Sequence, residues 1–171
     1  VQNSPKRQGN QSMKHVQLLC LLSALGISAF CLADDAVKDD EGFVSLFNGK
    51  DFSGWVSMGK MEGWQIKDGI IRSEGATGGY WLRAEKQYRN FIWKVDWKVS
   101  KGGNSGVYIR SAKEGIPWDT GYEVQISNEP RDDLHCTGSL YGHAAVNPRP
   151  DESSDKWHTF VLRCEGSHIT I

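Results

Sequence analysis

The chain has 171 residues, 20 of them basic and 21 acidic, with a formal net charge of −1, 39% hydrophobic and 24% charged side chains. That length suits one domain plus appendages, and seven Trp with nineteen Gly favour short strands and tight turns over a helical bundle. A charge this close to neutral lacks the basic surface that nucleic-acid phosphates require.

Residues 1–12 are polar and without pattern. Met13-Lys14-His15 then opens a basic start, Val16 to Phe30 is apolar, and Cys31-Leu32-Ala33 precedes Asp34. The spacing predicts a signal peptide over 13–33, with Met13 the start and 1–12 a non-native upstream extension. The apolar run is shorter than the roughly 20 residues of a membrane anchor, so the expectation is an exported, periplasmic or extracellular protein without a membrane span after cleavage. Removing 1–33 takes away three basic and no acidic groups, leaving 17 basic and 21 acidic residues. Of four Cys, Cys136 and Cys164 remain, an even pair in an oxidising compartment and hence a disulfide candidate beside the alternative of two isolated thiols.

Residues 34–41 form an acidic linker, and a domain is expected over 42–171. Gly42 to Lys50 reads as a strand ending in an Asn-Gly turn. Trp64 to Arg72 reads as a hairpin over Asp68-Gly69, a pair that tolerates the positive φ of a tight turn. Tyr80-Trp81-Leu82 is a short strand. Phe91 to Val99 alternates Phe91, Trp93, Val95, Trp97 and Val99 against Lys94, Asp96 and Lys98. Gly106 to Arg110 puts Val107 and Ile109 on one face, Tyr108 and Arg110 on the other. In the next strand Tyr122, Val124 and Ile126 oppose Glu123 and Gln125. Gly138 to Tyr141 is a further strand, and the long loop 142–156 has the size of a functional one. Trp157 to Cys164 alternates again, turns at Gly166-Ser167 and re-enters as His168 to Ile171. No helical apolar period and no internal repeat compete with this all-β reading.

Placed in one sheet, the three central strands would show an aromatic core face and a polar face of Asp96, Lys98, Tyr108, Arg110, Glu123 and Gln125. Two carboxylates, a guanidinium, a phenol and an amide together suggest a site, against the alternative of a solvated ionic face. His135 and His143 flank the Gly138–Tyr141 strand as candidate bases or, with Glu123, metal ligands, although loop histidines are more often bystanders. Trp118, just before a site strand, is a candidate for stacking on a sugar. Gly106 is expected to let the backbone pass close to a neighbour. Ser105 has no His-Asp pattern near it and is not a nucleophile.

Several segments in order resemble the 3-keto-disaccharide hydrolase family. They are Phe43 to Asp51 with Gly54-Trp55, Trp64 with Asp68-Gly69, Tyr88 to Phe91 leading to Asp96-Trp97-Lys98, and Gly103 to Arg110. Gly121 to Ile126, Thr137 to Tyr141 and Lys156-Trp157 complete the set. The resemblance implies a concanavalin A-like jelly-roll sandwich of two antiparallel sheets. It departs from the family at Asp96, where Glu is commoner, at Lys98, where Arg is frequent, and at His158, where Asn commonly follows the Trp. The family pattern also continues past Ile171, so a sequence incomplete at its C-terminus is expected.

The resemblance further implies hydrolysis of glycosides oxidised to a ketone at C3. Such a ketone acidifies the C2 proton, so a base, a donor for the enolate oxygen and an acid for the leaving group suffice. Glu123 is the expected base, or a ligand of a divalent cation, with no other cofactor implied. Arg110 is expected on the enolate oxygen, Tyr108 and Gln125 on sugar hydroxyls, and Asp96 as a second carboxylate or as an orienter of Lys98 and Arg110. A carbohydrate-binding module on the same scaffold is the alternative, and convergence of Asp96, Arg110 and Glu123 would favour the enzyme. A conventional glycosidase, which would place two or three carboxylates on one strand, ranks third.

Overall fold

Alternation governs how the strands are built, and pairing governs where their faces go. The computed structural model describes residues 41–73 and 81–171, within a unit spanning Lys38–Ile171. The signal peptide, the upstream extension, residues 34–40 and Tyr80 lie outside the described residues.

All strand pairs among the described residues are antiparallel. β1 (Trp55–Ser57) pairs with β4 (Leu82–Ala84), and β2 (Trp64–Lys67) with β3 (Ile70–Ser73). The β2–β3 turn is built on Asp68 and Gly69, both at positive φ (54° and 72°), as the sequence leads one to expect. β5 (Phe91–Trp97) pairs with β8 (His158–Glu165), which pairs in turn with β9 (His168–Thr170). β6 (Asn104–Ile109) and β7 (Tyr122–Ser127) form a separate ladder.

The fold is thus the expected all-β class, an antiparallel sandwich. Val107, Ile109, Val124 and Ile126 of the β6–β7 ladder pack against Trp97, Phe160, Leu162 and Cys164 of the β5–β8 ladder in one buried cluster. Phe91, Trp93 and Val95 border it and are partly buried. Each Å² of apolar surface in that cluster contributes about 25 cal/mol. Tyr122 departs from the expected core set: it is exposed, with its ring edge on His143 at 5.3 Å between centroids.

Two further expectations are corrected. Gly42 to Lys50 is not a strand. It holds a single bridge, at Val44, and the Asn48 side chain then accepts from the Lys50 and Asp51 amides at 2.8 and 3.0 Å in a local turn. Gly138 to Tyr141 is shorter than a strand but takes the outer position beside β7, where Leu140 bridges Val124. The Tyr141 amide donates to the Glu123 carbonyl at 3.0 Å and the Gln125 amide to the Ser139 carbonyl at 3.1 Å. A short helix the sequence did not announce, α1 (Pro117–Thr120), precedes β7 and starts with proline at its first turn.

Candidate active site

Register brings Tyr108 of β6 opposite Glu123 of β7, and the backbone bonds of Tyr141 set it beside Glu123 on the far side. Side chains of directly paired residues share a face, so Tyr108, Glu123 and Tyr141 form a row across three adjacent backbones. The Tyr108 hydroxyl interacts with the Glu123 carboxylate, which favours the ionised carboxylate, and with the Trp81 indole. Half-burial pushes Glu123 above the ordinary carboxylate range, against the pull of the Tyr108 hydrogen bond and the Arg131 charge. Tyr108 is pushed up by its own burial and then by the Glu123 charge, so it keeps its proton at neutral pH.

Space for the carboxylate comes from Gly106. A Cβ there would lie 2.2 Å from Glu123 Oε1 and 2.7 Å from its Cγ, so only glycine lets Glu123 lie across β6. The expected close approach is therefore real, and the neighbour is the candidate base itself.

An aromatic wall flanks the row. Trp118 stands on α1 at 5.2 Å from Trp81, edge to face, and at 6.3 Å from Tyr108. The helix is pinned by Ser111 Oγ donating to the Pro117 carbonyl and by Thr120 Oγ1 accepting from the Ala112 amide. Trp118 nevertheless remains 52% exposed. A half-exposed indole beside the phenol that faces a half-buried carboxylate is suited to a flat apolar ring face with polar edges, as a sugar presents.

Other expected members of the site lie elsewhere. β5 pairs with β8, so its polar face belongs to a different sheet from that of Glu123. There Asp96 accepts from the Thr159 hydroxyl at 2.5 Å, and the Lys98 ammonium sits 5.2 Å from the Trp157 ring centre. Arg110 has φ 62°, which turns it out of the β6 alternation. Its guanidinium donates to the carbonyls of Arg89 and Gly166 and lies over Phe91. Gln125 is on the Glu123 face but only 1% exposed, spent on Asn104 and its neighbour's amide. The anticipated meeting of Asp96, Arg110 and Glu123 therefore does not occur.

Cys136 and Cys164 are both free and buried, which corrects the disulfide expectation. Cys136 Sγ donates to the Asp133 carbonyl at 3.6 Å in the turn beside β7, whereas Cys164 packs in the core cluster on β8. For the suggested metal, His135 Nδ1 is engaged by Asp132 at 2.7 Å and His143 meets Tyr122. Among the described residues no three His, Cys, Asp or Glu side chains gather as a cation site. Also among the described residues, no helix is long and apolar enough to cross a membrane.

Sequence reasoning did not single out Tyr141 or Trp81 as site residues. Tyr141 ends a segment whose alternation is visible, but its place beside Glu123 depends on a pairing between distant segments. Trp81 shows only as an aromatic standing outside the alternating core.

A family model described as a 3-keto-alpha-glucoside-1,2-lyase-like domain matches residues 42–171. The chain belongs to the 3-keto-alpha-glucoside-1,2-lyase-like family. A curated relative, the 3-keto-disaccharide hydrolase of Bacteroides thetaiotaomicron, is 38% identical over 80 residues, 41% of this chain. The chain's match spans 28% of that relative's length. Among solved structures, a putative glycosyl hydrolase from Parabacteroides distasonis superposes with a TM-score of 0.67 at 29% identity, over 78% of this chain and 71% of its own. A second one from the same organism, at 22% identity and TM-score 0.58 over 66% and 59% of the two chains, supports the lyase-like family's fold alone.

Proposed function

We propose that this chain is a glycoside-processing hydrolase that acts on glycosides oxidised to a ketone at C3, working outside the cytoplasm. The observation that carries the reading is Glu123. It is half-buried, its basicity is raised by burial, it is positioned by Tyr108, and it belongs to no ion pair among the described residues. Membership of the lyase-like family and the name of the Bacteroides relative support the substrate class. The leader pattern of residues 13–33 supports export.

In this reading the sugar ring stacks on Trp118 with C2 toward Glu123. The carboxylate removes the C2 proton, which the neighbouring ketone has acidified, and an enolate forms. Its oxygen needs a donor. Arg110 is spent elsewhere, and Tyr108 is already engaged with Glu123, so the Tyr141 hydroxyl fills that role. The C1 substituent then leaves, and water adds to the alkene to complete hydrolysis. A carboxylate more basic than usual is a better base for this step, provided it stays ionised at the working pH.

A binding module remains a second reading, because the exposed Trp118 against Trp81 is the kind of platform such modules use. Product analysis on a 3-keto-glucoside, with and without a chelator, separates the two. Cleavage that survives chelation and falls by at least about a hundredfold in Glu123→Gln is the expected result. Near-normal turnover by that variant would sink the assignment of Glu123. Sugar binding with no turnover by the wild type would establish the binding module.

A further inference from the structure

Beyond Tyr141 the row of polar side chains continues. The turn at residues 132–135 is held by the Leu134 amide donating to Asp132 Oδ1 at 2.9 Å and the His135 amide to the Asp132 carbonyl at 3.1 Å. It is fixed to the Tyr141 segment by the Gly142 amide, which donates to the Leu134 carbonyl at 3.0 Å. His135 Nδ1 lies 2.7 Å from Asp132 Oδ1, and its ring packs edge-on against Tyr141 with centroids 4.6 Å apart. A Cβ on Gly142 would lie 4.0 Å from His135 Nε2, so that nitrogen sits over the backbone next to Tyr141. Nε2 has no hydrogen-bond partner among the described residues.

A carboxylate on Nδ1 fixes the orientation of the imidazole and leaves Nε2 as the working nitrogen. Glu123 and His135 stand on either side of Tyr141. Along the row, the Glu123 carboxylate lies over β6, and His135 Nε2 lies over the backbone that follows Tyr141.

We propose that His135, oriented by Asp132, is a second catalytic residue of this site and donates the proton that the departing glycosidic oxygen needs. The inference rests on the reading of Glu123 as the base. Glu123 takes the C2 proton, and the electron pair of that bond is held as the enolate on the C3 oxygen. As the enolate collapses, C1=C2 forms and the C1–O bond breaks. The leaving oxygen keeps the bonding pair and takes the proton from His135 Nε2. Neutral Nε2 then accepts a proton from the water whose oxygen adds at C1, the enolate so formed takes a proton back at C2 from Glu123, and both side chains return to their starting states. Asp132 acts through His135 and is a positioning residue.

Leaving-group dependence tests this, because an alkoxide needs an acid and a nitrophenoxide does not. His135→Gln and Asp132→Asn are assayed on an alkyl 3-keto-glucoside and a 4-nitrophenyl 3-keto-glucoside, with deuterium incorporation at C2 followed in D2O. His135→Gln is expected to lose about a hundredfold on the alkyl substrate and less than about threefold on the nitrophenyl one, with C2 exchange retained. Asp132→Asn is expected to show the same selectivity, smaller in size. Equal losses on both substrates, or no loss on the alkyl one, would overturn the role of His135 while leaving the base assignment standing. Absence of both C2 exchange and cleavage in the wild type would instead overturn the reading of Glu123.

Discussion

Tyr108 and Glu123 face one another across the β6–β7 ladder, and the phenol's hydrogen bond works against the burial that raises the carboxyl. That opposition gives a signed prediction. A base must be ionised, so the rate falls as pH drops through its pKa. Tyr108→Phe removes the hydrogen bond that favours the ionised form, so the pKa of Glu123 rises further. The acidic limb of the kcat/KM profile is expected to move to higher pH in Tyr108→Phe. A limb that stays put or moves down would show that another group controls it.

Gly106→Ala separates the site from the fold. The new Cβ would meet the Glu123 side chain from Cγ to the carboxylate and no backbone atom among its nearest neighbours, so the side chain swings aside and the protein is expected to remain folded. The displaced carboxylate is then misplaced by about an ångström or more, enough to cost on the order of a hundredfold in turnover. Circular dichroism and thermal melting check the fold, and a variant with normal turnover would show that the position of Glu123 across β6 is immaterial.

Arg110 is expected to matter for stability and not for turnover. Its guanidinium ties the Arg89 carbonyl to the Gly166 carbonyl at the β8–β9 turn. Arg110→Ala removes charge-assisted hydrogen bonds and is expected to cost about 1–3 kcal/mol in denaturant unfolding. Turnover per folded molecule should stay within about threefold of wild type. A large loss of turnover without loss of stability would return Arg110 to the site.

Alternation made Val107, Ile109, Val124 and Ile126 legible as core, and set Tyr108 and Glu123 on the opposite faces of their strands. It also made the Asp68-Gly69 hairpin legible, because a local turn needs only local residues. Which strand lies beside which is a different kind of information. β5 pairs with β8 more than sixty residues away, and nothing in the period of either segment announces it. That is why alternation alone puts Asp96 and Lys98 beside Glu123, whereas Asp96 lies on another sheet and Lys98 just past the end of β5. Arg110 escapes alternation through a single positive φ, and Gln125 is buried with its side chain bonded to Asn104 and to the Ile126 amide, which its place on the polar face does not announce.

Both thiols are expected to be reduced and slow to react in the folded protein. Burial pushes Cys136 and Cys164 up, which lowers the thiolate fraction that reacts with disulfide reagents. Peptide mapping after alkylation in denaturant should find both residues modified without prior reduction. Dithiothreitol should leave the melting temperature unchanged. A linked Cys136–Cys164 peptide would overturn this.

Trp118 carries the last prediction, which concerns binding apart from chemistry. Its indole is pinned by α1 and by Trp81, so little entropy is lost when a ring stacks on it. It lies beside Tyr108 and not against Glu123, so it is placed to hold a sugar face without taking part in proton transfer. Trp118→Ala is expected to raise KM for a 3-keto-glycoside about tenfold, the scale of one stacking contact, with kcat nearly unchanged. Removing the exposed indole should leave stability within about 0.5 kcal/mol, the usual range for surface positions. A sugar-induced change in tryptophan fluorescence, present in wild type and absent in the variant, is the direct check. If kcat falls while KM holds, Trp118 supports the position of Tyr108 and Glu123 through the aromatic wall, and the sugar lies elsewhere on the face.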